Sequence, residues 1–182
     1  MKKTNPLRIV EIENIANRVR REFGVSLDSP FPILEVLEKL HYGGLLTIQY
    51  KEDDDPMFEE NTPAKYNPID NFIYVKISVL EEVETNEYRA NFTLAHEFFH
   101  YIQCQVLGFT FEEVEYCPHY VRAEWQADEF AGQLLIPTKY VDLDEYDKFE
   151  IIEHFKVSEK CAETRIGLFL KRNPGKKVKL LY

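Results

Sequence analysis

The 182-residue sequence predicts an α+β fold, mostly helical with one small β-sheet, and three features carry that expectation. Apolar residues recur at steps of three and four along most of the chain, as amphipathic helices require. Two stretches between residues 45 and 80 concentrate β-branched and aromatic residues, as strands require. Glycines and prolines stand where these patterns stop. With 45% hydrophobic and 14% aromatic residues there is material for a core, and one domain spanning 1–182 is expected.

Residues 1–44 are expected to be helical. Ile9, Ile12, Ile15, Ala16 and Val19 form one stripe, and Gly24 is a plausible stop. A second helix follows Pro30 and Pro32 through Leu34, Val36, Leu37 and Leu40 to Gly43-Gly44. The small sheet belongs to residues 45–80, with a strand at Leu45–Tyr50, the polar loop EDDDPMFEENTP, and Asn71–Leu80 as one strand or a strand running into a turn. Two central helices occupy 85–137. The first is capped by Thr85 or Asn86, buries Phe92, Ala95, Phe99, Ile102 and Val106, and ends at Gly108. After a loop from Phe109 to Tyr120, the second runs from Val121 to Ile136 and stops at Pro137. Residues 138–182 supply helices at Asp144–Phe155 and from Ser158 to Asn173, then KKVKLLY as an edge strand or tail.

Composition removes several function classes. The formal net charge of −10 does not favour direct nucleic-acid binding. No apolar run reaches the length of a transmembrane helix, so no membrane partner is expected. Glutamates interrupt the apolar stretch of MKKTNPLRIVEIENIANR, which is unlike a secretory signal. Cys104, Cys117 and Cys161 are scattered rather than paired, which suits reduced thiols and a cytoplasmic location.

The chemistry concentrates at His96-Glu97-Phe98-Phe99-His100, an HExxH sequence inside the first central helix. Residues four apart share a helix face, so His96 and His100 can reach one metal ion. Glu97 stands at the edge of that face, placed to act as general base without being a ligand. Two helical histidines can also be ordinary half-buried residues, and the core stripe around them favours the metal reading. Catalytic zinc takes three protein ligands, so one zinc ion needs a third. Glu124 and Asp128 lie four apart on the next helix, with the small Ala127 and Ala131 allowing close approach. Glu124 is the expected third ligand. Asp128 is the expected partner of the far ring nitrogen of a zinc histidine. His119 is the rival, either as a ligand or as the group that stabilises an oxyanion, and Tyr120 and Arg122 have weaker claims to assist.

These stretches resemble a known family. Arg89-Ala-Asn-Phe-Thr-Leu-Ala-His-Glu-Phe-Phe-His100 resembles the RxxFTLAHExxH core of the ImmA/IrrE metallo-endopeptidases. Glu124-Trp-Gln-Ala-Asp-Glu-Phe-Ala-Gly-Gln-Leu-Leu-Ile-Pro137 resembles its second signature, and Phe155-Lys-Val-Ser158 leading to Arg165-Ile166 is a weaker third match. The resemblance implies a zincin-like domain with its small sheet packed on the HExxH helix. It implies zinc on His96, His100 and Glu124, with Glu97 catalytic. Phe98-Phe99 and Gln126 depart from the common pattern without removing a ligand. The implied activity is cleavage of a separate helix-turn-helix repressor that controls a mobile element, phage or stress response. The alternative is a zinc-binding regulatory protein that holds a partner without cutting it.

Overall fold

The computed structural model describes residues 1–59, 62–85, 88–142 and 147–176. After the two-residue strand β1 (Lys2–Lys3), helix α1 (Ile9–Glu22) buries Ile12, Ala16 and Arg20, which recur every fourth residue. Helix α2 (Ile33–Tyr42) follows Pro32 and buries Ile33, Val36 and Leu37. Gly24 and Gly44 end these helices in the left-handed region, each with φ 69°. Buried Arg20 ties α1 to its surroundings: it donates to the carbonyls of Leu134, Ser26 and Ser29 and stands over the Phe31 ring. Burial lowers its pKa to about 10, which leaves it cationic at neutral pH.

The sheet contains β2 (Thr47–Lys51), β3 (Ala64–Asn67) and β4 (Phe72–Lys76) in the order β2-β4-β3. β2 runs parallel to β4 and β3 antiparallel to it, with Tyr66 opposite Ile73. Alternation places Ala64, Tyr66, Ile73 and Val75 on the buried face. The β3–β4 turn is built from side chains. Asp70 accepts from the Asn67 amide and the Phe72 N–H, and Asn71 adopts φ 61°.

Several expected boundaries differ. The strand predicted over Asn71–Leu80 ends at Lys76, and Ile77–Glu84 forms helix α3. Val79 is buried there and α3 packs on the next helix, so tertiary contact overrides the β-branched bias. The HExxH helix α4 (Arg89–Tyr101) starts after the predicted caps. Thr85 instead closes α3, its hydroxyl donating to the Glu81 carbonyl, and Asn86 lies outside the described residues. A π turn at Ile102–Val106 extends α4 to Gly108, which has φ 66°.

The expected loop of residues 109–120 contains strand β5 (Glu112–Glu113), antiparallel to β1, and enters a 3-10 turn at His119–Val121. Helix α5 (Ala123–Leu135) ends before Pro137, as predicted. α6 (Thr138–Asp142) is a short helix that the sequence did not suggest. α7 (Lys148–Phe155) starts at an Asp147–Glu150 capping box rather than at Asp144, which lies outside the described residues. α8 (Glu159–Arg172) is capped by Ser158, and of KKVKLLY only Lys176 is described.

α4 and α5 form the centre. Ala127 and Ala131 have no exposed surface, which lets the helices approach closely. Phe130 stacks on Phe99 with ring centroids 4.3 Å apart, and Phe98 meets Phe130 edge-on at 6.4 Å. β3, α2 and α3 also pack on α4, so the helix bearing HExxH is enclosed by the sheet and three helices. On α5, buried Glu129 is held by both terminal guanidinium nitrogens of Arg172, at 2.8 and 2.7 Å.

Candidate metal centre

Four-residue spacing brings His96 and His100 to one side of α4, and Glu124 faces them from the first turn of α5. His96 Nε2 lies 3.1 Å from His100 Nε2 and 3.1 Å from Glu124 Oε2, and His100 Nε2 lies 3.4 Å from that same oxygen. These three side chains can hold a metal ion. The dimensions fit: a tetrahedral zinc with bonds of about 2.0–2.1 Å sets neighbouring ligand atoms about 3.3–3.4 Å apart. The donor chemistry fits too, since two imidazoles and a carboxylate are a catalytic zinc set. The histidine side chains are 16% and 8% exposed and Glu124 is 54% exposed, so the triangle is walled by protein on one side and open on the other.

Outer contacts brace each side chain of the triangle. Asp128, one turn beyond Glu124, accepts from His96 Nδ1 at 2.9 Å. Gln103 meets His100 Nδ1 at 2.9 Å. Lys2 approaches Glu124 Oε1 at 3.7 Å. Burial opposes protonation of His96, but hydrogen bonds to Asp128 and Glu124 outweigh it, and without a metal the pKa rises to about 10. Hydrogen bonds from His100 and His96 hold the Glu124 carboxyl far below its ordinary range.

Glu97 sits at the wall of a cleft of about 420 Å³ that also takes in Lys2, Ala64, Tyr66, His100 and Glu124. Its Oε2 accepts from the Tyr66 N–H at 2.6 Å. That N–H lies on the edge of β3 turned away from β4, so the sheet positions the carboxylate through backbone alone.

His96, Glu97, His100, Glu124 and Asp128 thus come together. His119 is exposed and packs edge-on against Trp125 at 4.7 Å, and it is not among the side chains lining this cleft. Tyr120 contributes its carbonyl to the interior, and Arg122 Nε donates to the Cys117 carbonyl at 2.9 Å. Phe98 and Phe99 are both buried in the core, so they shape the helix packing and not the cleft surface. Cys104, Cys117 and Cys161 are free thiols. The sequence reading missed Tyr66, Gln103 and Lys2. A backbone donor leaves no mark in a sequence. Gln103, however, is a polar residue three positions after His100, on the same helical face, and that was visible.

Residues 58–166 match the family model Peptidase_M78, IrrE N-terminal-like domain. The chain therefore belongs to this metallopeptidase-type family. No curated protein matches the sequence. Among solved structures the chain is similar to a Mycobacterium tuberculosis transcriptional regulator, with a TM-score of 0.55 at 13% identity, over 91% of this chain and 57% of that one. This chain thus spans little more than half the length of that regulator, and the likeness is one of fold. No helix among the described residues is long and apolar enough to cross a membrane.

Proposed function

We propose that this member of the IrrE N-terminal-like family is a zinc-dependent endopeptidase whose substrate is a separate helix-turn-helix repressor, in a single domain that binds one zinc ion. The observation that carries the reading is the ligand triangle with edges of 3.1, 3.1 and 3.4 Å at the wall of a cleft that also holds Glu97. A purely structural site has no use for a carboxylate beside it that is not a ligand. Family membership supports the peptidase chemistry, and the fold shared with a transcriptional regulator supports a regulatory setting.

His96, His100 and Glu124 would hold the ion, which supplies Lewis acidity to polarise the scissile carbonyl and acidify the attacking water. The remaining work falls to the protein. Tyr66 N–H holds Glu97 Oε2, which leaves the other carboxylate oxygen for proton transfer. Glu97 accepts the proton that water loses as the new C–O bond forms, and delivers it to the leaving nitrogen as the C–N bond breaks. Asp128 keeps His96 aligned throughout. Incubating the zinc-loaded chain with candidate helix-turn-helix repressors, taken first from genes neighbouring its own, and measuring intact masses, tests the reading. Two fragments whose masses sum to the repressor plus water are expected. An uncut repressor that stays bound would instead favour a regulator that holds its partner without cleaving it.

A further inference from the structure

The two histidines are oriented by different means. His96 Nδ1 faces Asp128 Oδ1, and a carboxylate only accepts, so that nitrogen carries a proton. His100 Nδ1 faces a glutamine amide, which can offer either an oxygen or an N–H₂ group. That contact alone leaves the direction open, and the groups behind it close the question.

Gln126 Nε2 lies 2.8 Å from the Asn5 carbonyl and 2.8 Å from the Tyr120 carbonyl. Neither carbonyl has a proton to give, so the amide must turn its N–H₂ group toward them. Its Oε1 then faces Gln103, whose Nε2 donates to it at 2.8 Å. Gln103 must therefore present Oε1 to His100 Nδ1, at 2.9 Å. Gln103 and Gln126 have no exposed surface and His100 has 6%, so water cannot stand in for a wrongly turned amide. Reversing either amide sets oxygen against oxygen along the line.

We propose that Gln126 and Gln103 form a one-way hydrogen-bond relay, anchored on the carbonyls of Asn5 and Tyr120, that holds His100 in its Nδ1–H tautomer. In the neutral ring Nε2 is then the unprotonated nitrogen, turned to the ligand triangle where His96 Nε2 can donate to it at 3.1 Å, and only the imidazolium form of His100 donates from Nε2 to Glu124. Both glutamines are positioning residues, acting through His100. One ligand histidine is thus aligned by a charged, exposed partner and the other by a neutral, buried chain that crosses from the π turn through α5 to the N-terminal segment. Gln126 stands two residues after Glu124, so α5 supplies one candidate ligand directly and orients another. The inference rests on the reading of His100 as a ligand only for its consequence. The tautomer itself is a property of the metal-free protein.

Long-range ¹H–¹⁵N spectra of the full-length, metal-free chain with labelled histidines read the tautomer of each ring. At a pH where His100 is neutral, its Nδ1 should carry the proton. Gln103→Leu should shift His100 to a mixture of tautomers while His96, held by Asp128, keeps its own pattern. Gln126→Leu should shift it in the same direction, and the double variant should go no further than Gln103→Leu. Gln103→Glu keeps an acceptor for Nδ1 and should keep Nδ1–H, its second oxygen meeting Gln126 Oε1 through the carboxyl proton. Zinc affinity should fall about 10–100-fold in Gln103→Leu, with a smaller loss in Gln103→Glu. An Nε2–H tautomer in the unsubstituted protein overturns the relay without recourse to any variant, as does an unchanged His100 tautomer in Gln103→Leu. Failure of the protein to bind zinc at all, with the tautomers as stated, would refute the metal reading and leave the relay standing.

Discussion

Replacing Asp128 with alanine probes how much the exposed side of the metal centre depends on charge. The carboxylate accepts from His96 Nδ1 at 2.9 Å. At that separation a unit-charge interaction is worth ~1.4 kcal/mol in water's dielectric and ~6 kcal/mol at an effective dielectric of 20. The Asp128 side chain is 60% exposed while that of His96 is 16% exposed, so solvent screens one end of the pair and the lower figure governs. Asp128 also favours the protonated His96 ring that zinc must displace, so the net loss in zinc affinity belongs at the low end of the range for outer partners of metal-bound histidines, about tenfold. Asp128→Asn keeps an oxygen that can accept from Nδ1 while losing the charge, and should fall between alanine and the parent. Competition against a chromophoric chelator at fixed pH reads all three dissociation constants. Unchanged affinity in Asp128→Ala would refute the assigned partnership. A loss of a thousandfold or more would also refute the reasoning, because it would make Asp128 a ligand and not a brace.

Further expectations follow from the same geometry. Glu124→Ala should reduce zinc from one ion per chain to substoichiometric at neutral pH, read by elemental analysis after gel filtration. Unchanged stoichiometry would return His119, or a water, to consideration as the third ligand. In the metal-free protein the pKa of His96 is raised from 6.5 to about 10. Its contribution to stability is therefore full below pH 6.5 and lost as pH rises through about 10, so the metal-free melting temperature should decline over that window. Zinc must displace that proton, so binding near pH 7–8 should release about one proton per ion, measured by calorimetry in buffers of different ionisation enthalpy. Phe130→Ala removes a fully buried ring of α5 that stacks on Phe99 of α4. It should cost about 3–5 kcal/mol, a fall of ~6–20 °C in Tm at this chain length, with part of the loss recovered by excess zinc.

The legibility of the molecule in its sequence follows the range of the interactions involved. α1, α2, α5 and α8 were readable because their signals are local: Gly24 and Gly44 at positive φ, Pro137 after the last turn, Ser158 as a cap. β3 was not readable. Ala64-Lys-Tyr-Asn67 has no β bias of its own and becomes a strand by pairing with β4. α3 was misread for the converse reason, since Ile77-Ser-Val-Leu80 looks like a strand and packs as a helix. At the candidate centre, helical periodicity placed His96, Glu97, His100, Glu124 and Asp128 together. The Tyr66 N–H that holds Glu97 belongs to the strand that was missed. The glutamine relay depends on which way two amides turn, and that is decided by carbonyls more than a hundred residues away in one case and six in the other.

The most direct test compares the zinc-loaded chain with its Glu97→Gln variant on one unbiased peptide mixture, at matched zinc content, with new N-termini counted by mass spectrometry. Cleavage by the parent chain and none above background by the variant is expected, with one zinc in each. Equal cleavage by both proteins, or no cleavage by a fully zinc-loaded parent, would contradict the proposed function.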